Sequence, residues 1–416
     1  MRRRGGDLSR HALLLAGARG VGQVVIVGVQ AVVARDVGLE GFGVFASGLA
    51  AATVLSGLID FGAGSYWVRE YSAGRLLADE FRVRSAGKLS VGGLVALGLL
   101  SSGLFGVLPL KFAAIAAGLL VSSVTSQTFQ VMLIASRKNV SLSLLALVER
   151  FILLVAFLVL WVAFKFASDV SLVVAYMCGS LALALLSRRS VMELAPVFRA
   201  PAWRRTWAGS GFYGLSTCLI ALQSTDVLLA GAVSGPAPVG SYGSVSRWAV
   251  PISLATQAFA SLLNPVVASA ADRGDVWRRI RGSLWLPSLS VLAAVVMGTL
   301  AQPLVLLVLG TRYGDSVAVL RVVALAAALS SVAQIAFTIL QARRQERLVA
   351  AGFGVAVFTQ LGMVIPLVQR FGGLGLAISA AAGQFVLCFM LGSVLFIALK
   401  RGTTSKGKSS AVLRRL

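Results

Sequence analysis

Three polar side chains share one face of the first long apolar stretch. Arg19, Gln23 and Gln30 are spaced by four and then seven residues, so at about 100° per residue of an α-helix they fall within roughly 40° of one another. If the stretch crosses a membrane, the charge costs at least ~2.5–3.5 kcal/mol, which makes the arginine a functional candidate. A guanidinium suits a pyrophosphate, which it binds through paired hydrogen bonds. The alternative is that Arg19 extends to the cytoplasmic surface.

A second polar set lies on a later apolar stretch. Arg247 is followed by Gln257 and Asn264, and these last two share a face at a spacing of seven residues. We interpret Arg247 as lining a cavity together with them, opposite the first set, where it could also meet an anionic group. The alternative is an anchor at the outer surface.

Carboxylates in apolar stretches are candidates for ion coupling or ion pairing. Asp226 lies deep in its stretch and must be paired or protonated, because an isolated buried charge is too costly. It could pair with an arginine such as Arg247, carry a coupling proton, or form an interhelix ion pair that only fixes packing. Asp60 is a weaker candidate that could simply cap a turn. Glu149 and its neighbour Arg150 are typical of a locally neutral interface pair, with function as the second option.

The fourth apolar stretch is rich in hydroxyl and amide side chains. Polar groups at this depth must face protein or water. Such a lining suits sugars, and helix-packing contacts are the equally weighted alternative. The candidates for sugar binding are Gln127 and Gln130, which accompany Ser122, Ser123, Thr125, Ser126 and Thr128.

The residue types that most enzymes need are scarce. The single histidine, His11, has no partner at metal-ligand spacing, and the three cysteines each lie in an apolar run. No phosphate-binding glycine loop is present. We therefore expect no catalytic residues, no metal site and no cofactor.

The elements that position these residues are membrane-spanning helices. The 416 residues are 57% hydrophobic and 13% charged, whereas a soluble domain carries roughly 25% charged residues. A span needs about 20 mostly apolar residues. The pattern predicts an all-α polytopic membrane protein with twelve spans, at 11–34, 42–64, 89–109, 112–134, 143–164, 170–187, 208–234, 242–268, 283–309, 318–341, 349–368 and 372–399.

The basic residues alternate between the two sides of this arrangement. Of the 38 lysines and arginines, 29 fall in the two tails and in alternate connections, and six fall on the other side. The bias of positive charge towards the cytoplasm therefore predicts that both termini are cytoplasmic. The net charge of +23 does not indicate a nucleic-acid partner, because no basic domain with interleaved aromatic residues is present. Residues 401–416 are expected to form a basic cytoplasmic tail, and its Gly/Ser/Thr/Lys-rich stretch Arg401–Ser410 is expected to be irregular and held near anionic lipid by its charge.

A repeat divides the chain into halves. The first two spans meet at VGLEGFGVF (37–45) and the seventh and eighth at VSGPAPVGSY (233–242), both glycine-rich turns that end in Gly-x-aromatic. Six spans per half place both turns on the outer face, as in a parallel duplication. We predict an N-terminal six-helix lobe at 1–200 and a C-terminal six-helix lobe at 201–400.

These segments resemble the polysaccharide transporter family. That family includes the Wzx-type O-antigen flippases, within the multidrug/oligosaccharidyl-lipid/polysaccharide exporter superfamily. The similar segments are ARDVGLEGFGVF (34–45), IDFGAG (59–64), RE (69–70), TDVLLAG (225–231), VGSY (239–242), LGTRYG (309–314) and FGGLG (371–375). Because these segments are spread along the sequence, the resemblance covers nearly the whole chain, but as turn and packing signatures they are poor guides to substrate.

The resemblance implies two six-helix bundles around a cavity that opens alternately to each side. The cavity would pass the sugar–pyrophosphate head of a polyprenol-linked oligosaccharide across a bacterial cytoplasmic membrane for surface polysaccharide synthesis, alongside polymerase and glycosyltransferase partners. An ion-coupled drug or cation antiporter of the same superfamily is the first alternative. A membrane glycosyltransferase, ligase or polymerase is the second, although the small outer loops disfavour it. A scaffold without transport activity is the third.

Overall fold

The computed structural model describes residues 3–198, 205–252, 256, 285–342 and 346–412. The first half forms six helices: α1 Arg3–Asp60, α2 Ala63–Ser72, α3 Ala78–Leu104, α4 Leu110–Ala135, α5 Asn139–Leu158 and α6 Ser168–Ser190. The described residues of the second half form eight: α7 Gly211–Leu222, α8 Thr225–Ser234, α9 Pro236–Ser246, α10 Trp285–Thr299, α11 Ala301–Val308, α12 Ser316–Ala342, α13 Glu346–Phe371 and α14 Gly373–Val412. They pack as two lobes.

Every predicted span has a helical counterpart, although part of the eighth lies outside the described residues. Within them, nine helices are long and apolar enough to cross a membrane, or ten if the pair α10 and α11, bent by 68°, is one broken span. The longest contains two spans, because α1 breaks at Gly38. The predicted all-α, polytopic, two-lobed architecture is therefore confirmed.

Two predicted boundaries are wrong. Helix α3 begins at Ala78 rather than at residue 89, so Arg84 and Lys88 lie buried within the long helix that contains the third span instead of in a separate cytoplasmic connection. Local partners allow this, since Arg84 pairs with Glu80 one turn earlier. At the other end of the chain, α14 continues to Val412, so Arg401–Ser410 is helical rather than irregular.

The two repeated turns have the same backbone conformation. Gly38 joins the two arms of α1 at φ 72° and ψ −176°, and Gly235 joins α8 to α9 at φ 79° and ψ −176°. A positive φ with extended ψ is open to glycine but strained for other residues. Both turns lie at one end of the molecule, called the turn end below. The opposite end, which carries the loops around Arg75 and Arg137, is called the basic end.

The lobes contact each other closely at the turn end. The second arm of α1, residues 39–60, crosses α9 so tightly that a Cβ on Gly43 would lie 1.9 Å from the Pro236 carbonyl oxygen. A Cβ on Gly240 would lie equally close to the Leu39 carbonyl oxygen. The buried Tyr313 hydroxyl donates to the Ala34 carbonyl oxygen at 2.6 Å.

A second contact between the lobes lies at the basic end. Phe61 (φ 41°) and Gly62 (φ 67°) separate α1 from α2. A Cβ on Gly62 would lie 2.3 Å from the Tyr213 carbonyl carbon, at the start of the second lobe. The Trp207 indole donates to the Ile59 carbonyl oxygen at 2.7 Å, and the Arg69 guanidinium donates to the Tyr213 hydroxyl at 2.7 Å. The second arm of α1 is thus held against the second lobe near both of its ends.

Candidate functional site

A cavity of about 360 Å³ lies between these two contacts. Its first-lobe wall is residues 42–53 of the second arm of α1, together with Gln30 from the first arm. The second lobe contributes α8, α9, α12, α13 and α14. The polar lining residues are Gln30, Thr53, Gln223, Ser224, Asp226, Tyr242, Ser246, Arg247, Ser330, Gln360 and Gln384.

Breaks in two helices position the charged lining residues. The seventh predicted span is divided into α7 and α8 at Gln223 and Ser224, which places Asp226 in the first turn of α8. Helix α9 ends at Ser246 and is followed by a 3₁₀ turn that begins at Arg247. Broken helices at membrane depth are tolerated where they line a cavity, and they mark substrate and ion sites in many transporters.

Asp226 is held by an amide rather than by an arginine. Its carboxylate is 3% exposed. It accepts hydrogen bonds from Gln360 Nε2 and from the Val227 backbone N–H, both at 2.6 Å. Among the described residues it forms no ion pair with Arg247 within 4.0 Å. Of the three alternatives for Asp226, the pairing with Arg247 is therefore not formed, and Gln360 and the backbone of α8 supply one donor to each carboxylate oxygen. Sequence reasoning did not select Gln360.

Two lining groups keep donors available. Arg247 has no carboxylate within ion-pair distance in the part of the chain that the structure describes. Gln223 Nε2 is buried, and no hydrogen-bond acceptor for it is found among the described residues. Buried donors without acceptors cost roughly 1–3 kcal/mol each. The cavity is therefore suited to a ligand that brings acceptor oxygens.

The first predicted polar set is only partly placed. Gln30 lines the cavity and donates to the Tyr176 hydroxyl of α6 at 3.3 Å. Gln23 is half-buried and is not a lining residue. The Arg19 side chain, Gln257 and Asn264 lie outside the described residues. Sequence reasoning missed Tyr176, because nothing in the local pattern of α6 connects it with α1.

Four other predicted site residues belong to the interior of the first lobe. Glu149 is 3% exposed and accepts from Ser126 Oγ at 2.9 Å, and Gln130 Nε2 donates to the same hydroxyl at 3.0 Å. Arg150 Nη1 lies 4.0 Å from Glu149 Oε1. Glu149 Oε2 has no hydrogen-bond partner in the described part of the chain. Neither these residues nor Gln127 line the cavity.

Asp60 forms an ion pair at the basic end. Its carboxylate lies 2.5 Å from Lys88 Nζ, and the Lys88 side chain is completely buried. The Gly64 backbone N–H also donates to Asp60 Oδ1, at 3.4 Å. Asp60 thus joins α1, α2 and α3 and does not reach the cavity.

No protein-family model and no curated protein matches the chain. Solved structures share its fold. A variant of the Vibrio cholerae MATE transporter VcmN is 15% identical, over 95% of this chain and 98% of its own, with a TM-score of 0.63. An inward-facing multidrug resistance MATE family transporter of the MOP superfamily is also 15% identical, over 94% and 96%, with a TM-score of 0.63. A MOP superfamily transporter from Pyrococcus furiosus, described as having a binding pocket of reverse polarity, is 13% identical over 94% and 96%, with a TM-score of 0.57. The chain therefore has the two-lobed fold of these transporters.

Proposed function

We propose that this protein is a flippase for a polyprenyl-diphosphate-linked oligosaccharide. The observation that carries the proposal is the pair of available donors in the interlobe cavity, the Arg247 guanidinium and Gln223 Nε2. The membrane is a bacterial cytoplasmic membrane, and the product serves polysaccharide synthesis at the cell surface. Glycosyltransferases would supply the substrate, and a polymerase would use it.

The chemistry of the lining fits the head of such a lipid. A guanidinium binds phosphate oxygens through two parallel hydrogen bonds. Amides and hydroxyls such as Gln30, Thr53 and Gln384 can exchange hydrogen bonds with sugar hydroxyls. The polyprenyl tail stays in the bilayer, because only the polar head gains from a wet cavity.

The two contacts between the lobes suit alternating access. Each is compact, and the second arm of α1 takes part in both. Releasing the contact at Gly43 and Gly240 would open the cavity at the turn end, and releasing the contact at Phe61 and Tyr213 would open it at the basic end. A volume of about 360 Å³ is at the low end for ligand sites, so an oligosaccharide requires one end to open.

An ion-coupled multidrug or cation antiporter is the second candidate. Asp226 favours it, since a buried carboxylate in the same cavity could bind a proton or a cation. The multidrug MATE transporter with the same fold also supports it. Arg247 argues against it, because its guanidinium pairs with no carboxylate among the described residues and an uncompensated cation repels cationic drugs.

The test compares two arginine substitutions, one in the 3₁₀ turn that follows α9 and one in α12. Arg247→Gln removes the cavity charge but keeps hydrogen-bonding groups, whereas Arg321→Gln removes an exposed charge outside the cavity. Transport of a fluorescent lipid-linked oligosaccharide is measured in proteoliposomes. We expect Arg247→Gln to slow it about tenfold to a hundredfold, as the loss of a charge-assisted hydrogen bond requires, and Arg321→Gln to leave it unchanged.

A parallel experiment measures efflux of the cationic dye ethidium from the same vesicles. Equal glycolipid transport by Arg247→Gln and wild type would overturn the proposal. Ethidium efflux that is lost in Asp226→Asn, together with no glycolipid transport by wild type, would establish the antiporter instead.

A further inference from the structure

The first lobe contains a second, apolar cavity that shares no lining residue with the interlobe cavity. It occupies about 510 Å³ between α3, α4 and α6. Its lining contains no polar side chain, and consists of Gly93, Ala96, Leu97, Leu100, Ala114, Ile115, Ala117, Gly118, Val121, Val170, Val173, Val174 and Met177. A cavity without polar partners does not hold ordered water.

The cavity is a groove on the flank of the lobe. Helix α4 packs against both α3 and α6 and forms the floor. The rims carry exposed apolar side chains, among them Leu97 on α3 and Val170 and Met177 on α6. On a membrane-spanning helix such side chains face the hydrocarbon core, so the groove opens towards lipid rather than towards the interlobe cavity.

The groove lies within one leaflet. On α4 its lining extends from Ala114 to Val121, and seven residues of α-helix rise about 10 Å. Val121 is ten residues, or about 15 Å, from Lys111 near the start of that helix, and about 15 Å is half of a hydrocarbon core about 30 Å thick. The groove therefore begins about one helical turn from Lys111 and ends at about the middle of the bilayer.

Lys111 lies just beyond the end of the groove that is nearer the turn end, three residues before the lining residue Ala114. Lys111 Nζ lies 2.6 Å from Asp169 Oδ2, where the Lys111 side chain is 53% exposed and that of Asp169 is completely buried. An ammonium has three donors, so this pair leaves donors free for a phosphate. Lys165, also exposed, precedes α6 by three residues and adds positive charge at the same end.

We propose that this groove binds one acyl chain of an anionic phospholipid from the leaflet at the turn end, with its phosphate at Lys111. The bilayer phospholipid is the occupant rather than the transported glycolipid, because the groove is shorter than a polyprenyl chain needs and lies away from the interlobe cavity. The site does not depend on the function proposed above.

The test fills the groove without disturbing the packing. A Cβ at Gly93 or at Gly98, both on α3, would have no other atom within 4 Å, but only Gly93 lines the groove. Retained phosphatidylglycerol is counted by native mass spectrometry of the purified full chain after exchange into defined nanodiscs. We expect Gly93→Phe to lose one tightly bound lipid and Gly98→Phe to retain it.

The headgroup is tested with the double variant Lys111→Gln and Asp169→Asn, which leaves no buried carboxylate unpaired. We expect its preference for phosphatidylglycerol over phosphatidylcholine to fall about fivefold. Retention by Gly93→Phe equal to that of Gly98→Phe, or an unchanged headgroup preference, would refute the site. Displacement of the bound phospholipid by undecaprenyl phosphate at equal concentration would show that the glycolipid is the occupant and overturn the assignment. None of these measurements involves transport, so the site and the flippase proposal can fail separately.

Discussion

Lys88 is a cation without solvent exposure inside a membrane-spanning lobe. Its charge is balanced by Asp60, which the Gly64 backbone N–H also contacts. Removing one partner of a buried ion pair costs more than removing both, because the remaining charge is left uncompensated. The pair therefore fixes the position at which α1 ends and α2 begins, close to the contact at the basic end.

We predict that Lys88→Met lowers the free energy of unfolding by roughly 3 kcal/mol. The double variant with Asp60→Leu should recover most of that loss, since no buried charge remains. Unfolding in SDS, followed by tryptophan fluorescence, measures both. A double variant that is less stable than Lys88→Met alone would contradict this explanation.

At the scale of single residues, the sequence predicts which charged residues are candidates for the site but not which side chains they contact. Asp60, Asp226 and Glu149 are visible as charges in apolar stretches. Their partners Lys88, Gln360 and Ser126 are contributed by other helices, 28, 134 and 23 residues away, and no local pattern connects them. The sequence also places Lys88 in a cytoplasmic connection rather than in a span, because charged residues at the end of an apolar stretch favour that interpretation.

At the scale of elements, the contact between the second arm of α1 and α9 depends on two glycines. The backbones approach so closely at Gly43 and Gly240 that neither position has room for a side chain. Small residues permit such approaches between membrane helices. The sequence predicts both glycine-rich segments and their repeat, but not that they contact each other, since that depends on how the lobes are placed.

We predict that Gly43→Leu forces α1 away from α9 and opens the cavity at the turn end. The matched control is Gly28→Leu on the other arm of α1, where a Cβ meets no other atom within 4 Å. Labelling of a reporter, Ser246→Cys, by an impermeant maleimide from the turn side should rise several-fold in Gly43→Leu only. The three native cysteines are first replaced. Equal labelling of both variants would show that this contact does not close the cavity.

At the scale of the whole molecule, hydropathy and charge are sufficient to predict the architecture. Twelve apolar stretches predict twelve spans, because lipid forces each spanning segment to satisfy its backbone as a helix. The depletion of lysine and arginine in alternate connections, six against 29 on the other side, supports the same count. The interlobe cavity is not predictable in this way, because its shape depends on the conformation that the two lobes adopt.

The charge distribution predicts that the C-terminus faces the cytoplasm. Green fluorescent protein fused after the last helix should therefore fluoresce, and alkaline phosphatase at the same position should be inactive. Alkaline phosphatase inserted at Gly235 should be active instead. The opposite pattern of reporter activities would reverse the assignment of the turn end to the outer surface.

At the turns at Gly38 and Gly235, the backbone conformation rather than the available space excludes the side chain of an L-residue. The Cβ of an L-residue at either position would meet no atom of a neighbouring part of the molecule within 4 Å, so packing does not exclude a methyl group there. Inverting the sign of φ 72° and ψ −176° gives about −72° and 176°, which is close to the polyproline II conformation that ordinary residues adopt freely. D-alanine introduced by chemical ligation should therefore adopt both backbone conformations without torsional strain, whereas L-alanine should not.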